Sequence, residues 1–258
     1  MYPELLGVRL YNPMLLLAVI LGSWLHLRLV GRAGYPRMRT FLFLLALAPI
    51  SWLGPKLYSM YMFGGFGGWQ SELSGGYRYP GSVLSMLIGP LLLQRLLPQG
   101  LDVRRWGDLM VPGFVLMLAI GRVGCLLNGC CTGEVCDLPW ALPFPSETPA
   151  WYLHRFQGLI DSHASLSLPV HPLAGYFFLL EVTTVVGALW LLRRKHYDGQ
   201  VVLFFLTFHG IGKTALEFLR EPYDVRHQTV PLALALVALT TMVMCWWRSR
   251  AEAGAEAS

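Results

Sequence analysis

The chain has 258 residues, of which 55% are hydrophobic and only 14% charged, with a mean hydropathy of +0.50. Soluble globular domains carry about 25% charged residues, so this composition excludes an ordinary soluble domain and points to a membrane protein. The formal net charge is +5, but the basic residues are spread over separate connections rather than gathered into one patch, and no nucleic-acid partner is expected. Residues 1–13 carry Glu4 and lack a basic start followed by a short apolar run, so no cleavable signal peptide is expected. The reading is of a single membrane domain over residues 1–250, followed by an Ala/Glu-rich cytoplasmic tail, 251–258, expected to be disordered.

Apolar runs near the 20 or so residues needed to span a bilayer occur at 12–30, 40–63, 81–98, 107–129, 172–192, 199–219 and 229–247. Gly89-Pro90 interrupts the third and Arg122 the fourth; neighbouring helices can re-satisfy the backbone at such points. The expected fold class is therefore all-α, a polytopic membrane protein of seven transmembrane helices. Alternate connections hold Arg28, Arg32, Arg37 and Arg39, then Arg95, Arg104 and Arg105, then Arg193, Arg194 and Lys195, then Arg248 and Arg250. The opposite set has only Arg9, Arg78, Arg155, Arg220 and Arg226. The positive-inside rule places the N-terminus outside and the C-terminus in the cytoplasm.

The longest connection, 132–170, falls outside and is dense in prolines and aromatics, among them Pro139, Trp140, Pro143, Pro145, Trp151 and Tyr152. It reads as an ordered periplasmic cap at the interface, where Trp and Tyr prefer to sit. The outer loop 64–79 is glycine-rich and reads as mobile or re-entrant. Cys130, Cys131 and Cys136 lie at the outer end of the fourth span, where a disulfide from Cys136 to Cys130 or Cys131 is expected. Their spacing matches no common zinc pattern, so no metal and no cofactor is expected. Cys125 and Cys245 read as packing residues.

The segment 119–133 carries the chemistry. Arg122 lies inside an apolar run, where a charge costs about 2.5–3.5 kcal/mol on insertion scales and is usually kept for a task. Gly121, Gly124, Gly129 and Gly133 allow close approach, and Asn128 adds an amide. Lys56 in the second span and Lys213 in the sixth reach a similar depth, and Glu217 follows Lys213 by four residues on the same helix face. One reading is structural, with the lysines snorkelling to the interface and Arg122 pairing with Glu217. The other is a cationic pocket for a lipid phosphate, gripped bidentately by Arg122 with the lysines as point charges. His171 and His209 are the histidines nearest membrane depth.

Gly121-Arg122-Val123-Gly124-Cys125-Leu126-Leu127-Asn128-Gly129, followed by Gly133, resembles the signature G-R-x-G-N-F-x-N-G-E-x-x-G of the prolipoprotein diacylglyceryl transferase family. Gly75-Gly76-Tyr77-Arg78-Tyr79-Pro80-Gly81-Ser82 is similar to its G-G-x-x-Y-H-G-G, and His171-Pro172 with Tyr176 to H-P-x-Q-x-Y-E. Lys213 to Pro222 with Asp224 resembles R-F-x-x-E-x-x-R-x-P-D, while Asp108, Tyr11 and Lys56 match more loosely. The resemblance implies an enzyme of the bacterial inner membrane that moves the diacylglyceryl group of phosphatidylglycerol, with loss of glycerol phosphate, to the lipobox cysteine thiol of a prolipoprotein. Arg122, Lys213, Glu217, Tyr79 and His171 would be catalytic, and Tyr11, Lys56, Gly81, Ser82, Asn128, Gly133 and Arg220 would bind substrate. Departures from the pattern are Pro80 at the family's histidine, Lys213 at an arginine, Cys125 at an asparagine, Cys130 at a glutamate, and Ala174 and Phe177 at the Gln and Glu after His171. The rival readings are a catalytically silent lipid-binding or assembly partner, and a thiol-based membrane redox protein.

Overall fold

The computed structural model describes residues 4–5, 8–63, 79–96, 102–221 and 226–256. Among them the chain is α-helical, apart from a hairpin of two-residue strands, β1 (Glu4–Leu5) and β2 (Val8–Arg9), and a few isolated bridges. The helices are α1 (Tyr11–Arg32), α2 (Arg37–Phe63), α3 (Tyr79–Leu92), α4 (Val103–Asn128), α5 (Pro149–Phe156), α6 (Leu173–Leu192), α7 (Gln200–Glu217) and α8 (Arg226–Glu256). All but α5 coincide with the apolar runs of the sequence. Four are long and apolar enough to cross a membrane: α1, the stretch Arg37–Tyr58 of α2, α4 and α6.

Pro90 lies inside α3, which continues through it to Leu92. α8 extends to Glu256, within the Ala/Glu-rich end. Ala and Glu are strong helix formers, so an existing helix propagates through them at little cost. The glycine-rich loop expected at 64–79 lies, but for Tyr79, outside the described residues.

The chain forms two compact units, residues 1–26 with 110–258, and residues 27–109. In the first, α7 packs against both α6 and α8, and Phe114 of α4 meets Phe205 of α7 edge to face, ring centroids 5.8 Å apart. In the second, α2 packs against α3, and Phe43 meets Trp106 edge to face at 4.9 Å. Many large apolar side chains of the helices face outward, among them Leu16, Leu42, Leu179, Val186 and Trp190, whereas the polar Thr40, Glu181, Thr184 and His209 are buried. A soluble protein rarely presents such apolar faces; hydrocarbon covers them without cost.

The connection 132–170 is ordered, as the sequence leads one to expect. Thr148 caps α5 with its hydroxyl, which accepts from the Trp151 N–H, and the Trp151 indole donates to the Ala164 carbonyl at 2.8 Å. Bridges join Val135 and Leu142 to Val170, and Pro145 to Leu166. Phe144, Ala150 and Val170 form a small core against Leu126 of α4. This layer fixes the end of α4, where the notable residues lie.

Candidate functional site

Glycine sets the geometry at the end of α4. Gly129 has φ +65, the left-handed value that terminates a helix. Its N–H bonds the Leu126 carbonyl at 3.2 Å and the next N–H, of Cys130, bonds the Cys125 carbonyl at 3.1 Å. This is a Schellman cap, which satisfies two carbonyls that the helix would otherwise leave bare. The chain then crosses the unit at Gly133, whose N–H donates to the His171 carbonyl at 3.0 Å, while the Glu134 N–H donates to Leu219 at 2.9 Å. A Cβ at Gly133 would lie 2.4 Å from the Leu219 carbonyl oxygen and 2.8 Å from the His171 Cβ, so only glycine fits between these strands of backbone. The Gly133–Arg220 bridge ties the end of α4 to the end of α7.

Three cations converge on one aromatic ring. The Arg122 guanidinium carbon lies 4.3 Å from the centroid of Phe177, the Lys213 ammonium 5.1 Å and the Arg220 guanidinium 5.9 Å. Phe177 is fully buried on α6. A desolvated cation over such a face gains about 2 kcal/mol. Two buried carboxylates accompany them. Glu217 accepts from both Lys213 and the Arg220 Nε, with a further Arg220 Nη2 contact at 3.2 Å. Glu181, fully buried one turn after Phe177, lies 3.9 Å from the Arg122 Nε and 3.0 Å from the His209 Nε2. Three basic side chains thus face two carboxylates in this cluster.

Just beyond the helices, Arg220 binds its proton more tightly than an ordinary arginine: burial works against its charge, but the Cys131 sulfur and Glu217 outweigh it. The Cys131 thiol is held well below the ordinary thiol value by hydrogen bonds from Cys125 and Cys130, against the effect of burial and with the field of Arg220 and Arg122. His171 is oriented by the Tyr176 hydroxyl, 3.3 Å from its Nδ1, and Tyr176 in turn accepts from the Trp140 indole at 2.7 Å.

Of the residues singled out in the sequence, Arg122, Lys213, Glu217 and Arg220 come together around Phe177, and Gly133 and His171 meet beside Arg220. Asn128 is the last residue of α4. Tyr11, the first residue of α1, packs its ring against Gly124. Lys56, Gly81 and Ser82 belong to the other unit, residues 27–109; Lys56 is buried there, and Gly81 lies against Gly54 and Pro55. Tyr79 opens α3, but its side chain lies outside the described residues.

Two corrections follow. Arg122 does not pair with Glu217, which is occupied by Lys213 and Arg220; its carboxylate is Glu181. All five cysteines are free, so no bridge joins Cys136 to Cys130 or Cys131. The sulfur that joins them is instead Cys125, because the Schellman cap brings its side chain and that of Cys130 to the same side. Sequence reasoning missed Glu181, and read Phe177 only as a departure from the family pattern. A signal for Glu181 was present, a bare carboxylate in the middle of an apolar run.

Fold and site together define a helical membrane protein whose buried cation cluster suits an anionic group. The family model for prolipoprotein diacylglyceryl transferase matches residues 4–248, and the chain belongs to that family. Curated relatives are phosphatidylglycerol–prolipoprotein diacylglyceryl transferases. That of Neisseria meningitidis is 32% identical over 165 residues, 58% of this chain and 54% of the relative. That of Mannheimia succiniciproducens is 30% identical over 149 residues, 57% and 48% respectively. That of Clostridium tetani is 26% identical over 149 residues, 58% and 53%. The chain spans about half the length of the curated relatives it matches.

Proposed function

We propose that this protein transfers the diacylglyceryl group of phosphatidylglycerol to the cysteine thiol of a prolipoprotein lipobox peptide. The observation that carries the reading is the convergence of three basic side chains on Phe177, against the two carboxylates Glu181 and Glu217. In the transfer the acceptor sulfur attacks the glycerol carbon that bears the phosphate ester. The carbon–oxygen bond breaks, its electron pair goes to the phosphate oxygen, and glycerol phosphate leaves as a monoester more negative than the diester it came from. A pocket of fixed cations stabilises charge that grows in this way, and does so without reorganising at the moment of reaction. Arg122 is the residue proposed to grip the phosphate, since a guanidinium offers two parallel donors. Glu217 holds Lys213 and Arg220 in place for it.

With Pro80 at the family's histidine position, the proton of the acceptor thiol goes to a different group. His171, held by Tyr176, is the proposed acceptor of that proton, with Tyr79 assisting. An unperturbed thiol titrates near 8.5, about 1.5 units above neutrality, so a cationic field removes much of the need for a strong base. Asn128, Gly133 and Tyr11 are proposed substrate contacts, and Lys56, Gly81 and Ser82 are proposed as such by motif match alone. The setting proposed is the bacterial inner membrane, with seven spans, N-terminus out and C-terminus in, and the 132–170 layer on the periplasmic side.

The test is release of glycerol phosphate from phosphatidylglycerol in nanodiscs, with lipobox peptide and with hydroxyl and amine analogues as acceptors. Release that depends on a thiol acceptor is the expected result. No release with any acceptor, from folded and lipid-bound protein, leaves the silent lipid-binding reading in its place.

A further inference from the structure

We propose that Cys125, Cys130 and Cys131 form a three-thiolate site for a soft d10 metal ion, Cu(I) being the best match. The proposal rests on the sulfur geometry and not on the transfer reaction, although Arg122 and Arg220 border both sites. The three Sγ atoms all lie within 4.8 Å of one another, and among the described residues no histidine or carboxylate joins the group. All three residues are half-buried.

The backbone that produces this cluster is specific. The Schellman cap at Gly129 brings residues five apart into contact, here Cys125 and Cys130, and the Cys130 Sγ sits 3.5 Å from the Cys125 carbonyl. In an extended chain Cys131 would then point to the opposite side. It does not, because Cys131 takes φ +57, a left-handed value that costs a residue with a Cβ about 1–2 kcal/mol. Backbone held in such a conformation tends to mark a functional site. The turn carries all three sulfurs to one side.

The donor set selects the ion. Thiolates favour soft cations such as Cu(I) and Zn(II) over hard ones. Zinc in a structural site almost always takes four protein ligands, and only three are offered here, whereas Cu(I) is satisfied by three sulfurs in a plane. Three thiolates around Cu(I) carry a net charge of −2, and the fields of Arg220 and Arg122, which both act on Cys131, offset it. On binding, any proton still held by a thiol passes to the buffer and no electron is exchanged. The ion would staple the last turn of α4 to the chain leaving it.

The experiment uses the full chain, purified anaerobically under reductant and titrated with Cu(I), and separately with Zn(II), against a chromophoric chelator. The expected result is one Cu(I) per chain, a sulfur-to-copper charge-transfer band in the ultraviolet, and protection of Cys125, Cys130 and Cys131 from alkylation while Cys136 and Cys245 still react. Cys131→Ser, Cys130→Ser and Cys125→Ser should each weaken binding by about 100-fold or more, beyond what loss of an outer partner costs; Cys136→Ser should leave it unchanged. The protection pattern is read on the unmutated chain, so it stands even where a variant fails to fold. No stoichiometric binding, alkylation that ignores the metal, Zn(II) bound more tightly than Cu(I), or a disulfide within the trio in the anaerobic protein would overturn the proposal.

Discussion

Two ion-paired clusters flank the Phe177 ring, and they are built differently. Lys213 and Glu217 lie at the end of α7 and Arg220 just after it, so the contacts are local, at spacings of four and three residues. Arg122, Glu181 and His209 come from α4, α6 and α7, and meet only when the helices are packed. The local cluster is closed, with Glu217 taken by both cations. The long-range one is loose, with Arg122 at 3.9 Å from Glu181 and its guanidinium stacked on Phe177. The difference suggests a division of labour. The closed cluster maintains structure and background charge, and the loosely held arginine is available to a phosphate.

The comparison can be broken most decisively at Glu217. Glu217→Gln leaves Lys213 and Arg220 without their counter-ion, and removing one partner of a buried pair costs about 3–5 kcal/mol. Thermal unfolding in detergent should show a large drop, with Glu181→Gln affected much less because Glu181 faces one arginine at 3.9 Å whereas Glu217 contacts two cations. Equal losses in the two variants would remove the distinction between a closed and a loose cluster.

Arg122→Lys should lower transfer from phosphatidylglycerol by about 10–100-fold at nearly unchanged stability, since a charge-assisted contact of this kind is worth about 1.5–3 kcal/mol. Lys213→Arg restores the family pattern and should be neutral or favourable. Full activity in Arg122→Lys with loss in Lys213→Arg would place the phosphate at the wrong cluster in this account.

How the sequence announces each cluster follows from the same contrast. Lys213 and Glu217 are legible as an i, i+4 pair because helical geometry alone brings them together. Arg122 is legible as a costly charge, but its partner is not, since periodicity does not say how far one helix is rotated against another. Glu217 is the nearer choice by motif and Glu181 the actual one. The cysteines are an intermediate case. Gly129 as a helix-ending glycine implies the Cys125–Cys130 contact, yet Cys125 reads as packing and Cys136 as a partner if only the distance along the chain is weighed. The cap at 132–170 is legible as ordered from its prolines and aromatics, but its pairing to Leu219 and His171 depends on backbone bonds that no side-chain pattern encodes.

A moderate effect is expected at the cap of α4. Gly129→Ala forces a Cβ to within 2.9 Å of Phe144 and Thr148 at φ +65, and should cost about 1–2 kcal/mol or more. Thermal unfolding measures it, and an unchanged midpoint would argue against the Schellman geometry.

The smallest effect is one of pH. His154 is buried beneath the cap, its Nδ1 accepting from the Leu168 N–H at 3.1 Å. Burial lowers its pKa, and Glu221 only partly opposes this. The folded state therefore holds the ring neutral where the unfolded chain would already be protonated. Stability should fall as pH drops through the ordinary histidine value of about 6.5, until the folded ring also takes a proton. Melts between pH 5 and 8 should show this slope in the unmutated protein and a shallower one in His154→Asn.

The most direct measurement of the central claim is a structure determined with phosphatidylglycerol bound. The account predicts the phosphate against the Arg122 guanidinium, beside Phe177, with Lys213 and Arg220 still held by Glu217. A headgroup seated elsewhere, with Arg122 remaining on Glu181, would contradict it.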